Sequence, residues 1–517
     1  MVSQITTFAF HGVEARPVSV QIQISGGANA FTIVGLPDKA VSEARERVRA
    51  ALSAVGLGLP VKRVTVNLAP ADLPKEGSHF DLAIALGLLV EMGAAASDVC
   101  EGFAVIGELG LDGSIARVTG ALPAAVAAND LGLGLICPFD SGAEAAWAGG
   151  DAEILAPKTL IQLINHFKGT QVLSPPKPGE VTAAPTGPDL IDVRGQETAK
   201  RALEVAAAGG HNLLMRGPPG SGKSMLAARL PGLLPPLTPA EMLEISMVQS
   251  MAGLLEDGRL ERTRPFRAPH HSASMAAMVG GGLRAKPGEA SLAHHGVLFL
   301  DELPEFTGAV LDSLRQPLET GDVMIARANY HVRYPARFQL VAAMNPCPCG
   351  YGKASGRACG RGPNCETVYQ SRVSGPFLDR MDLCIDLAPV APRDLSAPAN
   401  GEASTAIAQR IATAREIQTE RAREIDEMAP TNASLPDSVL SKIAIPDPDG
   451  ENLLSRAAET LGFSARGYMR TLRIARTLAD LDGGDGVRRR HIAEAVSYRQ
   501  RDGATLPKNV TSLSVGG

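Results

Sequence analysis

Apolar and polar positions change their period along this chain, and the changes divide it. Val18, Val20, Ile22 and Ile24 alternate with Ser19, Gln21 and Gln23, a two-residue period that predicts a strand with one buried face. Residues 61–68 repeat the theme, and a helical run starts near Phe80. Farther on, Asn212-Leu213-Leu214-Met215 and Val297-Leu298-Phe299-Leu300 are short apolar runs, the pattern of buried strands, and 225–230 reads as a helix. Residues 323–327 and 331–334 predict two short strands joined at Ala328-Asn329. From 405 to 428 the pattern turns helical and charge-laced. Two segments carry no such pattern: 174–188, crowded with Pro, Gly, Thr and Ala, and 389–401, rich in Pro and Ala. These breaks predict an α+β region over residues 1–170, a linker over 171–188, an α/β core over 189–395 and a helical region over 396–517.

Composition narrows the class. A chain of 517 residues has room for about three domains, and 45% apolar with 20% charged residues is the balance of a globular protein. The net charge of −5 gives no global basic signature, so a nucleic-acid surface would have to be a local patch or a pore formed on assembly. No stretch approaches the ~20 apolar residues of a membrane span. The most apolar segment, 82–96, is interrupted by Glu91, and Met1-Val2-Ser3-Gln4 lacks the basic start of a signal peptide. A cytoplasmic location is the expectation. Seven cysteines, an odd number in a long chain, argue against a disulfide scaffold and for reduced thiols with local roles.

The chemistry concentrates in Gly217-Pro218-Pro219-Gly220-Ser221-Gly222-Lys223-Ser224. This spacing lets backbone N–H groups close around phosphates, brings a lysine to the terminal phosphates and offers a hydroxyl to Mg²⁺. The second apolar run then delivers Asp301-Glu302. Asp301 is placed to hold Mg²⁺, directly or through water, and Glu302 can polarise an attacking water. The two motifs in this order predict ATP hydrolysis.

From Asp189 onward the chain resembles the AAA+ superfamily, in its magnesium-chelatase-like branch. Asp192-Val193-Arg194-Gly195-Gln196 is similar to the adenine-side entry motif, and Ala342-Ala343-Met344-Asn345-Pro346 to the strand end whose asparagine, here Asn345, orients water opposite the γ-phosphate. Ser374-Gly375-Pro376-Phe377-Leu378-Asp379-Arg380-Met381-Asp382 resembles the segment that presents an arginine finger, Arg380, to a neighbouring subunit's nucleotide. Ser464-Ala465-Arg466 resembles the second sensor, with Arg470 and Arg473 on the same helix face as alternatives. The segments around Arg264–Glu289 and 321–338 resemble two insertions that, in relatives, point into the channel of a hexameric ring. Arg284, Lys286, Arg327 and Arg333 thereby become candidate contacts to threaded DNA, against the alternative of ordinary surface cations. The motifs RPFRAPHHS, SLAHHGVLFLDELPEF, NPCPCGYG, SGPFLDRMD and SARGYMRTLRIARTLADL resemble the YifB/ComM family over nearly the whole chain. That resemblance implies a ring-forming DNA helicase that drives branch migration during natural transformation. The shared core leaves two alternatives open, the motor subunit of a magnesium chelatase and a protein-remodelling ATPase.

Two further segments are singled out. Leu73-Pro74-Lys75-Glu76-Gly77-Ser78-His79-Phe80-Asp81 resembles the nucleophile segment of Lon-type proteases, with His79 at the serine's place and Leu122 at the lysine's. Without a Ser–Lys pair there is no activated nucleophile, so an inactive Lon-like fold is expected there. Cys347, Cys349, Cys359 and Cys365 could close a structural Zn²⁺ site, although C-x-C-x9-C-x5-C departs from the usual paired spacing and plain loop thiols fit as well. Adjacent histidines, His270-His271 and His294-His295, point in different directions and suit structural or channel roles.

Overall fold

The computed structural model describes residues 2–96, 101–150, 152–182, 187–282, 285–326, 331–349, 364–390, 401–427, 429, 431–484 and 486–499. The amino-terminal region is built on a seven-stranded mixed sheet. Strand Glu14–Ser25 lies between Ser3–His11 and Arg63–Ala69 and pairs antiparallel with both, Ser3 opposite Ile22 and Ser19 opposite Ala69. Ala30–Val34 extends one side in parallel; Phe103–Val105, Gly134–Ile136 and Ile154–Leu155 extend the other. The alternation sets the faces, with Val18, Val20 and Ile22 buried and Gln23 exposed. Helix Asp81–Glu91 packs there and is buried from Asp81 to Leu89. A buried carboxylate needs a partner, and Arg47 supplies a two-pronged one at 2.5 and 2.9 Å from Asp81.

The core is an α/β unit on five parallel strands, ordered Phe266–Arg267, Val297–Leu300, Gln339–Met344, Leu213–Arg216, Leu383–Asp386. Because all run the same way, their carboxyl ends share one edge, where ligands of open α/β sheets bind. Arg216, Leu300 and Met344 therefore hand the chain to Gly217, Asp301 and Asn345 along that edge. The hairpin expected after Gly321 is present as Asp322–Ala326 against His331–Pro335. The helix after the phosphate loop covers only Lys223–Ala227 and gives way to a tight turn over Leu230–Leu233, where Pro231 has no N–H to continue the ladder.

Helices Ser404–Glu424, Asp437–Ile443, Pro448–Leu461, Ala465–Leu481 and Arg489–Ser497 form the carboxyl-terminal region. They share one apolar cluster with the core, running from Leu203, Ala206 and Leu213 to Ile411, Ile474 and Leu478. A polar knot fixes the docking: Arg421 grips Asp480 at 2.8 and 2.7 Å, Asn432 bonds Asp480 and Thr477, and His211 reaches Thr477 at 2.8 Å.

The expected linker is only partly a free connection. Val181–Thr182 pairs with Leu260–Glu261, because the two-residue strand finds an open edge in the core's insertion. Near it, Leu122 is buried against Leu255 and Leu260, Trp147 donates to Gly258 O at 2.6 Å, and Ser250 donates to the buried Glu144 at 2.5 Å. The amino-terminal region is thus packed on the core through helix Pro239–Ala252 and the loop after it. Among the described residues no helix is long and apolar enough to cross a membrane.

Candidate nucleotide site

The phosphate loop leaves its strand at Gly217, where a side chain would press on Leu387 O and Ser221 Oγ. It enters the short helix at Gly222, whose φ of 91° is left-handed and strains any residue with a Cβ. Between them the loop curls around the Lys223 ammonium. Its Nζ donates to Gly217 O at 2.8 Å, Pro218 O at 3.0 Å and the Asn345 side-chain oxygen at 3.1 Å. Burial lowers the Lys223 pKa, and the nearby Asp301 and Glu302 carboxylates oppose that shift. Asn345, 122 residues away in sequence, therefore meets the loop lysine where the resemblance assigns the water-orienting group.

Ser224 Oγ donates to Asp301 Oδ2 at 2.7 Å. A hydroxyl and a carboxylate, both hard oxygen donors, are the pair that suits Mg²⁺ alongside phosphate oxygens and water. Asp301 Oδ1 also accepts the Glu302 N–H at 2.9 Å. That contact accompanies a left-handed backbone at Glu302, φ 53°, uncommon for a residue with a side chain. The turn leaves the Glu302 carboxylate half exposed, with His271 Nδ1 3.4 Å from its Oε2. Sequence reasoning did not connect His271 to Glu302. The contact follows from the parallel pairing of Phe266–Arg267 with Val297 and Leu298, which brings the following residues of both strands to the same edge. On the other flank Gln196 spans the loop, its amide donating to Ser221 O at 3.3 Å and Ala388 O at 2.6 Å.

The arginines divide into committed and uncommitted groups. Arg466 is exposed on helix Ala465–Leu481 and makes no hydrogen bond or ion pair with the described residues. Its alternatives are engaged: Arg470 lies 3.5 Å from Asp382, and Arg473 bonds Leu435 O and Asp437. Arg380 is buried, pairs with Glu319 and donates to Pro376 O at 2.6 Å. Of the candidate DNA contacts, Lys286 is exposed on a cleft it shares with Ser78, Glu108 and Tyr334. Arg333 is exposed but bonded to Asp322 at 2.5 Å, at the base of its hairpin. Arg284 and Arg327 lie outside the described residues.

In segment 73–81 no hydrogen bond joins a serine to a lysine among the described residues. The Ser78 hydroxyl donates to Glu108, Lys75 donates to Pro70 O, and Leu122 belongs to the interface with the core. His79 is buried with Nε2 2.8 Å from Phe8 O, and burial pulls its pKa down to about 4. The zinc expectation finds no support. The Cys347 and Cys349 sulfurs lie side by side, Cys365 opens helix Cys365–Gln370, and Cys359 lies outside the described residues. His294 and His295 converge on Glu244 instead, at 2.9 and 2.8 Å. His294 Nδ1 accepts the Arg337 N–H at 3.0 Å, so its proton sits on Nε2 and faces Glu244 as a donor. The two adjacent rings thus point to one carboxylate, not in different directions as expected, and they tie helix Pro239–Ala252 to the turn before the strand that ends at Asp301.

Three family profiles match the chain in succession. "Subunit ChlI of Mg-chelatase" matches residues 20–141, "Magnesium chelatase, subunit ChlI" matches 189–395 and "Magnesium chelatase, subunit ChlI C-terminal" matches 401–499. The chain is 43% identical to the uncharacterised YifB of Escherichia coli K12, with 97% of each chain covered. It is 44% identical to the competence protein ComM of Haemophilus influenzae, covering 94% of this chain and 95% of that protein. The magnesium-chelatase 38 kDa subunit of Rhodobacter capsulatus is 25% identical over 59% of this chain and 86% of its own. With a phosphate loop, an Asp-Glu strand end and an asparagine gathered on one sheet edge, and with full-length identity to both namesakes, the chain belongs to the YifB/ComM family of magnesium-chelatase-like AAA+ proteins.

Proposed function

We propose that the protein is an ATP-driven DNA motor, a hexameric ring helicase that promotes branch migration as incoming DNA recombines. The observation that supports the ATPase half is the pair of contacts Lys223–Asn345 and Ser224–Asp301, by which the adjacent loop residues Lys223 and Ser224 meet the carboxyl ends of two other strands. Support for the DNA half is the likeness to a competence protein over nearly its full length and the exposed Lys286 on the core's insertion.

In this reading the residues divide the work as follows. ATP competes with Gly217 O and Pro218 O for the Lys223 ammonium, which then holds the terminal phosphates while backbone N–H groups of Gly220 to Ser224 line them. Ser224 and Asp301 would hold Mg²⁺, which would neutralise phosphate charge there. Glu302 accepts a proton from the attacking water, and Asn345 orients that water. Arg466 contacts the γ-phosphate in cis. Arg380 reaches the nucleotide of the adjacent subunit, where its forked guanidinium meets the charge developing on the transferred phosphoryl group. The Lon-like region, without a nucleophile, serves assembly or substrate contact, and the protein works in the cytoplasm.

The test is the ATPase rate measured with single-stranded DNA, duplex DNA and a four-way junction. Stimulation, largest with the branched substrate, is the expected result. Hydrolysis indifferent to all three would favour a protein-remodelling role or a chelatase subunit.

A further inference from the structure

Arg380 is held away from solvent by its own subunit. Only 7% of its side chain is exposed; one guanidinium nitrogen donates to Pro376 O, another to the Glu319 carboxylate, and Nε has no hydrogen-bond partner among the described residues. The backbone beneath it is fixed, since Asn212 donates to Arg380 O at 3.0 Å and its N–H is accepted by Asp382 at 2.9 Å. Movement of the guanidinium must therefore come from its side-chain torsions and from whatever holds its tip. That holder is asymmetric: Glu319 is 53% exposed, so one end of the pair stands in water and is exchangeable. The unpaired Nε leaves the buried fork incompletely satisfied, which lowers the cost of withdrawing it.

Glu319 also sits where the hairpin is anchored. It lies in helix Arg315–Thr320, which stops at Gly321 with φ 73° and runs directly into strand Asp322–Ala326. Ala336 N donates back to Gly321 O at 2.7 Å, and Arg333 closes the base on Asp322, so helix end and hairpin base form one joint. A tilt of the hairpin is carried to Glu319 through two intervening residues.

Resting on the reading of Arg380 as a trans finger, we propose that Glu319 is a positioning residue that holds Arg380 in cis and releases it when the hairpin moves. The pair keeps the finger out of the neighbour's site until the substrate in the channel displaces the hairpin, which ties phosphoryl transfer at one subunit to substrate contact at the next.

The experiment uses mixed rings of full-length chains. Lys223→Ala chains donate Arg380 but have no working site; Arg380→Ala chains have a site but no finger. Their mixture is active only where one serves the other. Adding Glu319→Gln to the Lys223→Ala chains should raise DNA-free kcat of the mixture roughly 1.5- to five-fold, the range set by a half-exposed ion pair, with KM for ATP little changed. DNA stimulation should shrink correspondingly. Glu319→Asp in the same chains should restore the low basal rate. Glu319→Gln placed instead in the Arg380→Ala chains should change nothing, because no finger is there to release.

A lower or unchanged rate with Glu319→Gln in the finger-donating chains overturns the proposal, as does an equal effect in both placements, which would assign Glu319 to the hairpin or the fold. If the unmodified mixture has no activity although native mass spectrometry shows mixed rings, the trans finger itself fails, and the latch falls with it. Thermal melts of each chain separate these results from misfolding.

Discussion

Replacing Glu302 by Gln isolates the chemical step from everything that holds the nucleotide. The side chain is 51% exposed and its neighbour is His271, 3.4 Å away, so an isosteric amide alters one surface contact and leaves the side-chain volume unchanged. Such a change costs less than about 0.5 kcal/mol of stability. The groups read as binding ATP, Lys223, Ser224, Asp301 and the loop N–H donors, are untouched, so affinity should hold within about three-fold. What is lost is proton acceptance from water. Removing a positioned general base lowers the rate roughly a hundred- to ten-thousand-fold, equivalent to about 3–5 kcal/mol of barrier. The assay pairs single-turnover hydrolysis with equilibrium binding of a fluorescent ATP analogue and a thermal melt. A Glu302→Gln protein that hydrolyses at the normal rate, or that no longer binds ATP, refutes the assignment.

Three other outcomes follow from the geometry. Lys286→Ala should reduce DNA-stimulated hydrolysis more than basal hydrolysis and flatten the salt dependence of DNA binding by about one unit of slope; equal loss of both rates would place Lys286 in the fold. Leu122→Ala, at a fully buried position between the amino-terminal region and the core, should cost about 2–5 kcal/mol in a denaturant titration, and a loss under 1 kcal/mol would argue against a packed interface. Burial pulls the His211 pKa from 6.5 down to about 4, so the unfolded chain binds more protons in that window and the residue's contribution is full above pH 6.5 and lost on descent toward 4. His211→Gln should therefore flatten the fall in melting temperature from pH 7 to 4.5, a term on the order of 3 kcal/mol at most; an unchanged slope would show that His211 titrates normally.

What the sequence revealed follows a physical division between contiguous and assembled features. The phosphate loop is legible because its eight residues act together, and Asp301-Glu302 because a buried strand must end before its carboxylates can face a ligand. The half-buried strand Glu14–Ser25 was legible from period alone. Residues brought together by strand order were not. His271 reaches Glu302 only through the pairing of two strands about thirty residues apart in the chain. Glu319 and Arg380 are separated by 61 residues with no local pattern to join them, so the motif suggested a finger while the fold shows the Arg380 guanidinium buried and held. Leu122 marks the same limit: its burial comes from Leu255 and Leu260 across an interface, which nothing in its own neighbourhood announces.

If ATP hydrolysis at Lys223, Asp301 and Glu302 moves DNA strands, strand exchange on a synthetic four-way junction with one labelled arm reads it directly. The wild-type protein with ATP and Mg²⁺ should convert the junction to duplex products, while the Glu302→Gln protein should bind ATP and leave the junction intact. Conversion by both proteins alike, or by neither although the wild type hydrolyses ATP, would contradict a DNA motor driven by this site.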